Sequence, residues 1–75
     1  MKDKVIAIVS RVMDVPVAEL NEDSSPDTVR GWDSLKHMNL VLALEEELGV
    51  QFSDTQIVEM NSIGLILEIL KEIQR

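Results

Sequence analysis

Ser34-Leu-Lys-His-Met-Asn-Leu-Val-Leu-Ala-Leu-Glu-Glu-Glu-Leu48, closed by Gly49, is the stretch on which the fold turns. Leu, Ala, Met and Glu are strong helix formers, and a glycine just past the last periodic residue is a stop signal, so the spacing predicts a helix from Ser34 to about Leu48. Projected at about 100° per residue, Val41, Leu44 and Leu48 fall on one side, with Leu40 at the edge and His37 inside the same arc. Leu35, Met38 and Leu42 make a second apolar strip, rotated by roughly 60–120° from Val41. Together the two strips span roughly 220°, whereas a core-facing stripe needs somewhat over 100°. Two readings of this excess stay open. Either the helix is central and buries both sides, or Leu35, Met38 and Leu42 remain outside as an i, i+3, i+7 docking set with Glu45 and Glu46 as a charged rim.

Working outward, Val5, Ile8, Val9 and Val12 recur at helical spacing, with Lys2, Lys4 and Arg11 at polar positions, which predicts a first helix from about Asp3 to Met13. Pro16 discourages its continuation, and Pro16 to Leu20 is expected to add one turn. Asn21 to Trp32 has no period and carries Asn, Asp, Ser, Pro and Gly, which reads as a long ordered loop, more often functional than not. Downstream, Ser53-Asp-Thr-Gln56 is a capping-box pattern opening a short helix to about Met60. Ser62 caps a last helix with Ile66, Ile69, Leu70 and Ile73 on its apolar face. The expected fold class is all-α. It is a small antiparallel four-helix bundle with three main helices and one short one, a long loop between the first two, and a single domain over residues 1–75.

Composition limits what such a domain does. At 75 residues it buries a modest core and has little surface for a walled active site. There is no cysteine, so neither disulfides nor thiolate metal sites staple it. Fourteen acidic against seven basic residues give a formal charge of −7, which repels nucleic acid and anionic lipid and steers the chain toward basic protein surfaces. No apolar run is long enough for a membrane span and no signal-peptide pattern opens the chain; a cytoplasmic monomer that neither inserts in membranes nor binds nucleic acid is expected.

Ser34 stands where the second helix begins. A serine there ordinarily caps, but Asp33 can cap instead, which turns the Ser34 hydroxyl toward solvent. Free backbone amides and the positive end of the helix dipole suit a phosphate at the same place. A catalytic reading fares poorly. His37 lies three residues on, but a serine nucleophile also needs an orienting acid and oxyanion donors in a dry pocket. Asn21, Glu22, Asp23 and Asp27 lack the spacing of a calcium loop, and no metal site is expected.

Gly31-Trp-Asp-Ser-Leu-Lys-His-Met-Asn-Leu-Val-Leu-Ala-Leu-Glu-Glu-Glu-Leu-Gly49 resembles the signature segment of the acyl carrier protein family, with Asp33-Ser34-Leu35 as its core. The resemblance covers essentially the whole chain. It implies a non-enzymatic carrier, with Ser34 receiving a covalent 4′-phosphopantetheine from coenzyme A through a separate phosphopantetheinyl transferase. Asp33 then helps to present the site, and Leu35, Leu42, Glu45 and Glu46 match positions that meet partners on the recognition helix, with Met38 completing the apolar set read from the projection. The implied partners are that transferase, an acyl-loading ligase or transferase, and downstream acyl-processing enzymes. Acyl groups that fold back between the helices would place His37 at their cavity. Lys36, His37 and Asn39 make the first turn of the recognition helix less negative than in housekeeping fatty-acid carriers. Trp32 before Asp33 resembles stand-alone carriers of specialised pathways, which implies lipid, surface-polysaccharide or secondary-metabolite chemistry. An aminoacyl or peptidyl carrier, or a helical adaptor of carrier-like fold that needs no modification, are the alternatives.

Overall fold

The computed structural model describes residues 1–74, and these form helices and turns without a strand. Helix α1 runs Lys2–Met13, a 3₁₀ turn spans Val17–Glu19, and α2 (Ser34–Leu48), α3 (Asp54–Glu59) and α4 (Ile63–Ile73) follow. The all-α bundle expected from the periodicity is what forms, with three substantial helices and one short one.

Local chemistry sets each boundary. α1 ends where Asp14 enters the left-handed region (φ 58°, ψ 50°) and its amide bonds the Ser10 carbonyl. Aspartate tolerates that conformation better than most residues. The Ser10 hydroxyl donates to the Val15 carbonyl at 2.5 Å, turning the chain into Pro16 and the expected single turn. Gly49 closes α2 at φ 65°, its amide on the Glu45 carbonyl. α3 opens on a reciprocal capping box: Ser53 Oγ accepts from the Gln56 amide at 3.1 Å and Gln56 Oε1 accepts from the Ser53 amide at 2.9 Å.

The start of α4 fixes the long loop. The first amides of a helix have no partner within it. Here the Ser62 hydroxyl accepts from Leu65 at 3.1 Å, while the loop carbonyls of Ser24 and Glu22 accept from Ile63 and Gly64 at 3.0 and 2.9 Å. The approach is close. A Cβ on Gly64 would lie 3.1 Å from the Glu22 oxygen, which explains a glycine in a helix it does little to favour. Within the loop, Asn21 Oδ1 accepts from the Asp23 amide, and the buried Ser24 hydroxyl accepts from the Asn21 amide. Val29 and Trp32 then drop into the core. The loop is therefore tied at both ends.

The core is aliphatic at its centre, where Val5 and Val9 of α1 meet Leu40, Val41 and Leu44 of α2, Met60, and Ile63, Ile66 and Leu70 of α4. α1 contacts both α2 and α4. An exposed ion pair of Arg11 with Glu47 also links α1 to α2. The doubled apolar arc of α2 is resolved in favour of one buried strip: Leu40, Val41 and Leu44 point inward, while Leu35, Met38 and Leu42 lie outside.

This partition is measurable by urea denaturation. Leu44→Ala opens a cavity at a fully buried site and is expected to lower stability by about 2–5 kcal/mol. Leu42→Ala, on the outer strip of the same helix, is expected to stay within about 0.5 kcal/mol of the parent. Equal losses would contradict the one-sided burial.

Candidate functional site

The loop delivers Trp32 into the core, and the next two residues are left at the surface where α2 starts. Asp33 is extended (φ −108°, ψ −173°) and its Oδ1 accepts from the Lys36 amide at 2.8 Å, so Asp33 supplies the cap. Its main-chain carbonyl receives the His37 amide at 2.8 Å. Ser34 is relieved of capping and its side chain is exposed, as the order Asp-Ser predicts. Among the described residues no acceptor pairs with the Ser34 and Leu35 amides. They point out of the positive end of the helix dipole beside the Ser34 hydroxyl. α4 uses its equivalent donors internally; α2 does not.

Ser34 borders a groove of about 410 Å³ between the start of α2 and α3. Trp32, His37 and Met38 line one side of it, and Ile57, Val58 and Asn61 the other. Trp32 is only 5% exposed, and its indole N–H donates to His37 Nδ1 at 3.0 Å. His37 Nε2 sits 2.8 Å from the Ile57 carbonyl oxygen. A carbonyl only accepts and an indole N–H only donates, so His37 is the neutral tautomer with its proton on Nε2. The two ring planes are 21° apart with centroids at 6.3 Å, the arrangement of an in-plane N–H···N bond rather than of a face-to-face stack. The one nitrogen of His37 able to take a proton is thus occupied by Trp32. It is not available as a base for Ser34, and nucleophilic catalysis by this pair has no support.

The outer strip of α2 is strongly exposed, with Leu35 at 71%, Met38 at 46% and Leu42 at 59%. Val58 of α3, at 72%, adds to the apolar surface beside the groove and was not singled out by sequence. Its signal was present: Ile57 and Val58 are adjacent β-branched residues in a six-residue helix, and both cannot face one core. The two acidic rim positions differ. Glu46 is exposed, whereas Glu45 is half-buried and its Oε2 accepts from the Phe52 amide at 3.0 Å, holding the α2–α3 connection. Helical projection accounts for this, since Glu45 lies roughly 40° from Val41 and Glu46 roughly 140°. Lys36 turns the other way, with Nζ 3.3 Å from the Val12 carbonyl near the negative end of α1. No cluster of three or more His, Asp or Glu side chains suited to a metal occurs among the described residues.

A family model described as "Phosphopantetheine attachment site" matches residues 3–70. An acyl carrier protein of Clostridium acetobutylicum is 29% identical over 69 residues, covering 92% of this chain and 90% of that one. One from Saccharopolyspora erythraea is 24% identical over 67 residues, covering 89% and 70%. Among solved structures, the solution structure of holo acyl carrier protein from Geobacter metallireducens superposes with a TM-score of 0.85 at 25% identity, covering 97% of this chain and 84% of that one.

The division of labour between the two adjacent side chains predicts opposite outcomes in thermal or urea unfolding. Asp33→Ala removes the cap and is expected to lower stability by about 0.5–2 kcal/mol. Ser34→Ala removes a hydroxyl that holds no cap and is expected to leave stability within about 0.5 kcal/mol.

Proposed function

The chain belongs to the phosphopantetheine-attachment family of acyl carrier proteins, and on that premise we propose that Ser34 is the residue that bears the arm. It is a carrier with covalent 4′-phosphopantetheine rather than an enzyme. The observation that carries the assignment is the pairing of an exposed, uncapping Ser34 hydroxyl with two amides that no described residue accepts from. Those amides and the dipole of α2 favour a phosphodiester charge on Ser34 Oγ. When bound, the arm supplies a thiol that holds acyl groups as thioesters. The chain's part is to fix the root of that arm on a rigid helix and to present a surface that partners recognise. Deprotonation of Ser34 during attachment falls to the transferase, because His37 is committed to Trp32 and Ile57.

Partner enzymes are read as docking on Leu35, Met38, Leu42 and Val58, with Glu46 as the free carboxylate of α2's outer face. From His37 to Leu70 the chain carries Glu45, Glu46, Glu47, Asp54, Glu59 and Glu68 and neither Lys nor Arg, a field that favours partners with basic surfaces. Glu45 contributes to this field while its carboxylate also serves the fold. We read the chain as a single cytoplasmic, monomeric domain, and as a carrier of specialised lipid, polysaccharide or secondary-metabolite chemistry. Lys36 in the first turn of the recognition helix, and Trp32 before Asp33, support that finer reading.

Intact-mass measurement after incubation with coenzyme A and a broad-specificity phosphopantetheinyl transferase tests the attachment. One phosphopantetheine increment is expected, lost in Ser34→Ala; an increment that persists in the variant places the arm elsewhere. The same measurement on carrier isolated from its native host reads the pathway, and the saturated chains of bulk fatty-acid elongation would sink the specialised assignment. For recognition, Glu46→Lys is the clean charge reversal because Glu46 has no part in the fold. It is expected to slow association with a cognate enzyme several-fold at low salt and to flatten the salt dependence. Association unchanged at every ionic strength would move the docking face off α2.

A further inference from the structure

α3 is six residues long, fully buries none of its own side chains though Ile57 packs half-buried against the core, and provides one wall of the groove beside Ser34. Phe52 before it and Met60 after it are buried, but the helix itself is joined to α2 through one polar bridge, His37 Nε2 to the Ile57 carbonyl at 2.8 Å. The other ring nitrogen is fixed from the opposite side by the Trp32 indole at 3.0 Å. A buried indole, an imidazole and a main-chain carbonyl thus form a chain of two hydrogen bonds from the core, across α2, to α3.

We propose that this chain is a proton-sensitive latch: neutral His37 holds α3 against α2 and sets the width of the groove at Ser34, and a second proton on the ring releases it. The chemistry admits one direction. Protonation puts an N–H on Nδ1, facing the indole N–H, so that two donors meet where a donor met an acceptor. The ring must turn or leave, and the Nε2 bond to Ile57 is strained with it. The groove residues of α3 itself, Ile57 and Val58, are apolar and offer no side-chain acceptor; the polar side chain on that wall is Asn61, which lies beyond the end of α3. The ionisable groups nearby are Asp33, in the same groove but held on the Lys36 amide, and Lys36, turned toward α1. A charged His37 is therefore drawn toward Asp33 and away from Ile57, which widens the groove. That the groove matters to the carried group rests on the Ser34 assignment; the latch itself does not.

Nitrogen-detected NMR of the unmodified protein across a pH titration tests the latch independently of any arm. At neutral pH the His37 ring is expected to show a protonated Nε2 and a bare Nδ1. As the ring charges, the Trp32 indole resonance and the Ile57 and Val58 amides should move with the same midpoint. Amide exchange of α3, corrected for its intrinsic pH dependence, should rise roughly tenfold, the loss of about one hydrogen bond, while Val9 and Leu70 keep their protection. His37→Ala should show the faster α3 exchange at every pH. A bare Nε2 at neutral pH, or α3 exchange that ignores the charge state of the ring in the parent protein, overturns the proposal even if the variant does not fold. Failure of the mass experiment with Ser34 would leave these resonances unaffected, so the two readings fail separately.

Discussion

Two main-chain hydrogen bonds, from the Ile63 and Gly64 amides to the Ser24 and Glu22 carbonyls, hold the rest of the molecule in place. They answer an unavoidable demand, since the first amides of α4 need acceptors and the loop between α1 and α2 lacks helical partners of its own. With the loop seated there, Val29 and Trp32 reach the core and Asp33 arrives at the start of α2 in the extended conformation a cap requires. The position of Ser34 follows from a contact at another helix's end.

The two helix starts make a useful contrast. α4 has its amides satisfied by Ser62 and the loop, so its N-terminus is closed. α2 has one side-chain cap, Asp33, and leaves the Ser34 and Leu35 amides outward beside an exposed hydroxyl. One start is structural and the other is available for chemistry. Because the same dipole operates at both, satisfaction of the amides, and not helix polarity alone, distinguishes them.

His37 links this site to the shortest α-helix of the fold. α3 is too short to bury a face fully, and it is attached through half-buried Ile57, flanking Phe52 and Met60, and the bridge through His37. Trp32 is thereby explained in packing terms. It is buried, it satisfies its N–H on His37, and it fixes the tautomer that reaches α3. What Trp32 presents outside the core is its share of the groove wall beside Ser34.

The sequence by itself determined the number, type and ends of the helices. These follow from the 3.6-residue period and from side chains that act on their own neighbours: Asp33 and Ser53 as caps, Gly49 as a stop, Pro16 as a break. It also placed Ser34 at the start of α2 with Asp33 positioned to cap in its stead. Periodicity was silent on which of two apolar strips of α2 would be buried, because projection ranks angles without saying where neighbouring helices lie. Projection already set Glu45 nearer Val41 than Glu46, and adjacency put one of Ile57 and Val58 outside, but neither names a partner. The Glu45–Phe52 bond and the His37–Ile57 bridge, which joins residues twenty apart, were not legible. Only the tertiary structure decided these. Burial, the partners of a polar atom and the tautomer of a histidine depend on groups that the chain brings together from a distance.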